Sequence, residues 1–213
     1  MSVRRPHPSE EWNHGAETPA REAASVIVLR DSAEGDPGGP EVLLVQRTPK
    51  ARFMGGAWVF PGGAVDEGET VEQTARRELE EEAAIELPPE AAPAPFSRWI
   101  TPAEVKTRFD TWFFVVEAPR GARPRVDGSE CVDLRWIRPQ QALDEFAEER
   151  LQLVFPTIKH LEQLAAFPSV AAALEAARSR QVTPVQPRIV VTNGRPSVLL
   201  PGEPGFDANE PRG

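Results

Sequence analysis

Residues 63–85, GAVDEGETVEQTARRELEEEAAI, are the stretch that decides the fold of this chain. Thr70, with Gln73 three residues later, has the pattern of a capping box, which marks the start of a helix. Residues 71–84 contain neither Pro nor Gly and are rich in Glu, Ala, Arg and Leu, which are strong helix formers. The stretch therefore predicts a glycine turn followed by a helix.

Three carboxylates fall on one face of this predicted helix. At roughly 100° per residue, Glu78, Glu81 and Glu82 lie within about a quarter to a third of its circumference. The opposing apolar stripe is formed by Ala75, Leu79 and Ala83. Like charges at this spacing repel each other, and a bound divalent cation would turn that repulsion into affinity. A small set of hard oxygen ligands suits Mg²⁺ or Mn²⁺ acting together with substrate phosphates.

The spacing of the fixed residues resembles the Nudix box, the signature of hydrolases that cleave a nucleoside diphosphate linked to another group. The family pattern is G-x5-E-x7-R-E-U-x-E-E-x-G-U, where U is a bulky aliphatic residue. The matching residues are Gly63, Glu69, Arg77, Glu78, Leu79, Glu81, Glu82 and Ile85. A bare E-x-x-E-E is more often a solvated charged helix, so the matching Gly63, Glu69 and Arg77 are what favour a metal site. The resemblance implies an α/β fold, the Nudix α/β/α sandwich with a mixed sheet between helices.

The resemblance also implies roles for the residues of the box. Glu78, Glu81 and Glu82 are expected to bind Mg²⁺ or Mn²⁺, and the carbonyl of Gly63 to add a ligand. Arg77 is expected to orient Glu78 or Glu69 through a charge-assisted contact. Glu78 is the general base in some family members, whereas others use a carboxylate from a later loop.

A candidate for that later carboxylate precedes a predicted strand. Residues 130–137 alternate in polarity like a strand. Nudix domains commonly carry an acidic residue about six positions before a Trp here, and Glu130 has that spacing to Trp136. Asp127 and Asp133 are neighbouring alternatives.

Ala84 stands where the family has Gly. Gly at this position usually takes a left-handed conformation that ends the helix, and the same conformation costs Ala roughly 1 kcal/mol. Either Ala84 accepts that cost or the helix runs one residue further.

The substrate prediction comes from residues 43–63, LLVQRTPKARFMGGAWVFPGG. They resemble the upstream motif of coenzyme A diphosphatases of the Nudix family, which implies coenzyme A or an acyl derivative as substrate. Arg47 and Arg52 are expected to contact phosphate groups, since Arg pairs with phosphate bidentately. Gly62 and Gly63 are assigned to substrate binding on the same resemblance.

Other interpretations stay open at this point. ADP-ribose or another nucleotide substrate is an alternative, because Pro102 lies near a Pro of enzymes that act on ADP-sugars. Trp136 is assigned either to stacking on an adenine ring or to the core. A non-catalytic module that senses a nucleotide is the alternative from another class of protein, although such modules usually lack some of the box carboxylates.

The remaining sequence sets the domain organisation. We expect a disordered segment over residues 1–21, a Nudix domain over 22–150, and an extension over 151–213 that caps the substrate pocket or forms a homodimer surface. Expected strands are residues 25–30, 41–46, 57–60, 111–117 and 130–137, expected helices are 141–149, a segment around 158–165 and 170–178, and residues 188–200 form a hairpin turned at Asn193-Gly194.

Composition limits the partners. A net charge of −9 argues against general nucleic-acid binding. The resemblance implies a small nucleotide as the ligand. No apolar run reaches 18 residues, which argues against a membrane partner. A single Cys and a polar start without a secretory signal favour the cytoplasm.

Overall fold

The computed structural model describes residues 11–32, 39–51, 53–193 and 195–207. Its helices are α1 (Val71–Ala83), α2 (Pro139–Ala147), α3 (Phe155–Leu164) and α4 (Val170–Ser179). Its first seven strands are β1 (Arg21–Asp31), β2 (Pro40–Arg47), β3 (Trp58–Val59), β4 (Gly62–Ala64), β5 (Ala94–Ile100), β6 (Phe109–Glu117) and β7 (Cys131–Ile137). The last three are β8 (Pro184–Val185), β9 (Arg188–Thr192) and β10 (Arg195–Leu199).

Eight of these strands form one mixed sheet. Its main path runs β3-β2-β1-β6-β5-β8, with β4 paired to β1 and β7 paired to β2. Strands β1 and β6 are parallel from Arg21↔Phe109 to Leu29↔Glu117, and β5 and β8 are also parallel. A central parallel strand is covered on both faces, which explains why the apolar residues of β1 are consecutive rather than alternating.

The two faces of the sheet carry separate cores. One face is covered by α2, α3 and α4, and its core includes Phe96, Leu161 and Leu174. The other face is covered by α1 through Ala75, Leu79 and Ala83, which is the apolar stripe predicted from the sequence. The predicted α/β/α sandwich with a mixed sheet, C-terminal helices and a β-hairpin is therefore confirmed.

Several segments differ from the sequence-based expectations. Residues 11–20, expected to be disordered, run along the loop before β6: Asn13 N–H donates to the Glu104 carbonyl, and Glu17 pairs with the buried Arg108. Residues 1–10 of the same expected segment lie outside the described residues. Strand β5 was not predicted, because Pro95 and the charged Arg98 interrupt its apolar pattern.

The extension is built onto the sheet. Strand β8 forms its edge beside β5, and α3 and α4 contribute to the same core as β1 and β6. Strands β9 and β10 form the predicted hairpin, with Thr192 paired to Arg195 across the turn. Asn193 has a positive φ, as this turn requires, and Gly194 lies outside the described residues.

The start and end of α1 depend on two local features. The Gln73 N–H donates to Thr70 Oγ1 at 3.2 Å, and the Thr70 N–H donates to Gln73 Oε1 at 2.8 Å, which confirms the capping box. Ala84 has φ 52° and ψ 37°, so the helix ends at the family's Gly position and does not continue. Ala84 therefore adopts a left-handed conformation that L-residues with a Cβ rarely take.

Replacing Ala84 by Gly should stabilise the protein. Gly takes this conformation without a Cβ clash, so we expect a gain of up to about 1 kcal/mol in the free energy of unfolding. The urea midpoint should rise with an unchanged slope, which chemical denaturation measures. An equal gain from Ala83→Gly, one residue inside the helix, would contradict this explanation, because Gly there should destabilise.

A buried histidine, His160, makes the stability of the core beneath α2, α3 and α4 depend on pH. The ring of His160 is fully buried among Phe60, Phe96, Trp99 and Phe113. Its Nε2 lies 2.5 Å from Ser97 Oγ, and its Nδ1 has no hydrogen-bond partner among the described residues. Burial lowers the pKa of His160 from 6.5 to about 3.

We expect this histidine to weaken the fold in acid. The unfolded chain binds a proton below pH 6.5 whereas the folded one does not, so the free energy of unfolding falls as pH drops through that value. The loss should reach about 2 kcal/mol at pH 5. Urea unfolding at pH 7.5 and pH 5 measures it, and His160→Phe should remove this part of the pH dependence. If the free energy of unfolding of the variant depended on pH as strongly as that of the wild type, other groups would be the cause of the pH dependence.

Candidate active site

The glycine turn before α1 lies directly against the acidic helix. The Gly62 N–H donates to Glu82 Oε2 at 3.0 Å. A Cβ added to Gly63 would lie 2.3 Å from Glu78 Oε1, and one added to Gly62 would lie 2.4 Å from the Ala24 carbonyl oxygen. The absence of a Cβ therefore lets β4 approach β1 at Gly62 and the Glu78 side chain of α1 at Gly63.

Arg77 is the centre of the carboxylate network. Its Nε donates to Glu69 Oε1 at 2.9 Å and its Nη2 to Glu69 Oε2 at 3.0 Å, a bidentate pair. Its Nη1 donates to Glu78 at 2.7 Å and to Glu81 at 3.0 Å. Hydrogen bonds from Arg77, and a further one from Thr74, lower the pKa of Glu69 to about 2. Both partners proposed for Arg77 from the sequence are therefore in contact with it.

The three glutamates of the helix have different environments. Glu81 is exposed over 59% of its side chain. Glu78 and Glu82 are buried, and burial raises the pKa of both, that of Glu82 to about 7. In the described part of the chain, Glu82 Oε1 is buried without a hydrogen-bond partner, and so is Nε of Arg47. The charge of Arg47 partly offsets the rise in the Glu82 pKa. An unpartnered carboxylate oxygen is costly to bury and is a natural ligand for a cation.

A small cavity of about 280 Å³ brings the helix together with the loop before β7. Its lining consists of Arg77, Glu78, Glu81, Glu82, Asp127, Ser129 and Glu130. Asp127 is occupied by its own turn, where it accepts the N–H groups of Ser129, Glu130 and Cys131. Asp133 does not line this cavity. Three carboxylates were considered for this strand. Among them, Glu130 lines the cavity beside the helix, and its side chain makes no hydrogen bond among the described contacts.

The donor set of this cavity suits a hard divalent cation. Carboxylate oxygens predominate, and Glu82 Oε1 is already without a partner. Within residues 11–32, 39–51, 53–193 and 195–207, no three acidic, His or Cys side chains already converge on one point. Arg77 contacts Oε1 of Glu78 and Oε2 of Glu81, so the other oxygen of each carboxylate is the one that can face a cation.

A larger cavity of about 390 Å³ opens beside the first. Glu78 and Glu130 line both cavities, whereas Arg47, Gly62 and Gly63 line the larger one. Its aromatic lining includes Phe53, Phe60, Trp99, Phe109, Phe113 and Phe155. Sequence reasoning missed these residues, because they are scattered along the chain and each has the pattern of an ordinary core residue.

The substrate contacts predicted for Trp136 and Arg52 have different outcomes. Trp136 lies on β7, packs against the core beneath α1, and is covered by the guanidinium of Arg30 at 4.4 Å. It lines neither of the two cavities, which favours its assignment to the core. Arg52 lies outside the described residues, so its phosphate contact stays a prediction.

Comparison with known proteins identifies the family. A model of the NUDIX domain matches residues 19–157, so the chain belongs to the Nudix family. No helix in the described part of the chain has the length and apolar character needed to span a membrane.

Relatives of assigned function resemble part of the chain. A putative 8-oxo-dGTP diphosphatase 3 of Mycobacterium tuberculosis is 34% identical over 111 residues, which are 51% of this chain and 49% of that protein. The 8-oxo-dGTP diphosphatase of Proteus vulgaris is 48% identical over 46 residues, 22% of this chain and 40% of that protein. The chain thus spans about half the length, or less, of the curated relatives it matches.

Solved structures extend the likeness to the fold. A NUDIX hydrolase from Alicyclobacillus acidocaldarius superposes with a TM-score of 0.66 at 25% identity, covering 75% of this chain and 97% of that one. A MutT NUDIX hydrolase from Burkholderia pseudomallei gives a TM-score of 0.53 at 26% identity, covering 69% and 99%.

Proposed function

We propose that this chain is a pyrophosphohydrolase that uses Mg²⁺ or Mn²⁺ to cleave a nucleoside diphosphate linked to another group. The observation that carries the proposal is the junction of the two cavities. There Glu78 and Glu130 border both the carboxylate-lined cavity and the larger one, beside the Gly62-Gly63 turn. A diphosphate at this junction lies within reach of a cation held by the helix.

The proposed roles follow from the contacts of each side chain. Glu78, Glu81 and Glu82 would hold the cation, and the Gly63 carbonyl would add a ligand. When bound, the cation polarises the phosphoryl oxygens and lowers the pKa of a water. Arg77 fixes Glu69 and limits where Glu78 and Glu81 can turn. Glu78 and Glu130 are the two candidates for the group that removes the proton from water.

Coenzyme A or an acyl derivative is the substrate that we propose. The proposal is supported by the resemblance of residues 43–63 and by Arg47, which borders the larger cavity and supplies a cation for a phosphate. The phosphorus attacked lies in the pyrophosphate, so the products are 3′,5′-ADP and a phosphopantetheine. An 8-oxo-dGTP diphosphatase activity is the second candidate, because relatives with that description match up to half of the chain.

A substrate panel tests both candidates. Coenzyme A, acetyl-coenzyme A, 8-oxo-dGTP, ADP-ribose and NADH are incubated with the protein and Mg²⁺ or Mn²⁺, and products are separated by chromatography. Preferred release of 3′,5′-ADP supports the coenzyme A assignment, and preferred release of pyrophosphate from 8-oxo-dGTP rejects it. No cation-dependent product from any compound would reject the enzyme in favour of a nucleotide-sensing module.

Glu81→Gln should remove nearly all turnover while substrate binding persists. The substitution keeps the shape of the side chain and deletes one charge from the cation site, which should lower turnover by about a hundredfold or more. Glu80→Gln is the matched control, since Glu80 is exposed on the same helix and lies outside the carboxylate cavity. Equal turnover of the Glu81→Gln protein and the wild type would reject this metal-site assignment.

A further inference from the structure

Part of the lining of the larger cavity comes from the extension after residue 150. The start of α3 contributes Phe155, and the hairpin contributes Ile189 and Val198. Ile189 and Val198 are buried together with Val105, and Phe155 packs against them. This part of the lining therefore belongs to the segment of the chain that follows α2.

The described aromatic rings of this region contact one another in pairs. Phe53 and Phe109 are in contact at 5.6 Å between ring centroids with a tilt of 54°. Trp99 meets Phe155 at 6.1 Å, edge to face at 76°. The rings are already packed on each other, whereas a bound base stacks on a free aromatic face.

Two hydroxyl groups of the lining are also committed within the protein. Ser25 Oγ donates to the Pro61 carbonyl at 2.9 Å. Thr101 Oγ1 donates to the Phe109 carbonyl at 3.2 Å and accepts the Phe109 N–H at 3.0 Å. These two groups have little capacity left to read the polar edge of a base. Phe155, Ile189 and Val198 are apolar, so the part of the lining that they form favours a ligand group that needs no hydrogen bonds.

We propose that this region binds the apolar chain carried by the group on the far side of the diphosphate from the nucleoside. Residues after 150 would thereby select substrates that bear an acyl or alkyl chain over those without one. The inference rests on the proposed function, which places the diphosphate beside Gly62 and Gly63, and these two residues line the same cavity.

Binding to the metal-free, full-length protein tests the proposal without turnover. Calorimetric titrations in EDTA compare coenzyme A, hexanoyl-coenzyme A and 3′,5′-ADP, which carries the base without the chain. Hexanoyl-coenzyme A should bind at least about tenfold more tightly than coenzyme A, since each fully buried CH₂ adds up to about fourfold. The ratio of the affinity for hexanoyl-coenzyme A to the affinity for coenzyme A is the quantity compared between variants. Ile189→Ala should reduce this ratio by about threefold or more and leave the affinity for 3′,5′-ADP unchanged.

The same hairpin supplies the control. Val191 is 49% exposed and does not line the cavity, so Val191→Ala should leave the ratio unchanged. Phe155→Ala is the second cavity variant if Ile189→Ala does not fold. A ratio of one in the wild type would overturn the proposal, and so would cavity variants that weaken 3′,5′-ADP as much as the ester, because the cavity would then hold the base.

Adding Mg²⁺ to the same samples separates this inference from the proposed activity. Chain-dependent binding without hydrolysis of either coenzyme A compound supports the apolar site and rejects the coenzyme A activity. Hydrolysis of both compounds with equal affinity supports the activity and rejects the apolar site.

Discussion

Glu82→Gln should abolish most turnover and at the same time stabilise the metal-free protein above pH 7. Glu82 is 3% exposed, and one of its oxygens is buried without a partner, so its negative charge costs the fold free energy. Its folded pKa of about 7 lies above the ordinary value of 4.5. The folded protein therefore binds the proton more tightly, and this destabilisation is fully present above pH 7 and is relieved as pH falls.

The expected gain from Glu82→Gln at pH 8 is about 1 to 3 kcal/mol in the free energy of unfolding. The upper figure follows from the net shift in pKa, which already includes the attraction to Arg47. Urea unfolding in EDTA at pH 8 and pH 5 measures the gain, which should shrink at the lower pH. Turnover should fall by about a hundredfold or more. A variant that is less stable than the wild type at pH 8 would contradict the assigned cost of this charge.

Gly62→Ala should lower the stability of the protein, whereas Gly63→Ala should lower its activity, although the two residues are adjacent. The new Cβ at position 62 would meet the backbone of Ala24 and Ser25, which cannot move without disturbing β1. We expect a loss on the order of 3 kcal/mol in the free energy of unfolding. The new Cβ at position 63 would instead meet the end of the Glu78 side chain, which can turn away.

Gly63→Ala should therefore remain folded and lose activity. A shift of about 1 Å in a reacting or liganding group costs on the order of a hundredfold in rate, and the carboxylate of Glu78 must move at least that far from a contact of 2.3 Å. Thermal unfolding and steady-state kinetics on both variants separate the two effects. Equal losses of stability, or full activity of Gly63→Ala, would show that Glu78 is not held where this turn places it.

The parts of the molecule that the sequence predicted are those determined by local signals. The capping box of Thr70 and the period of Ala75, Leu79 and Ala83 are contained within one helix, and both are confirmed. The sequence allowed either a left-handed Ala84 or a helix that runs one residue further. The structure has the left-handed Ala84.

The parts that the sequence did not predict depend on contacts between distant segments. The buried state of Glu82 results from the approach of Gly62, Arg47 and Cys131 to the helix. The larger cavity combines side chains of β1, β5, β6 and the extension, which are far apart in the sequence. Strand β5 was missed because Pro95 hides its pattern, although a bulge between Pro95 and Ser97 accommodates it in the sheet.

The pairing of β8 with β5 has a consequence for any shortened form of this protein. Trp99 in β5 is opposite Val185, and removal of residues after 150 would leave this length of strand with unpaired N–H and C=O groups. The same cut would expose the side of the sheet that α3 and α4 cover. An open strand beside an uncovered apolar surface is a template for self-association, so a chain ending at residue 150 would tend to aggregate rather than behave as an isolated catalytic unit.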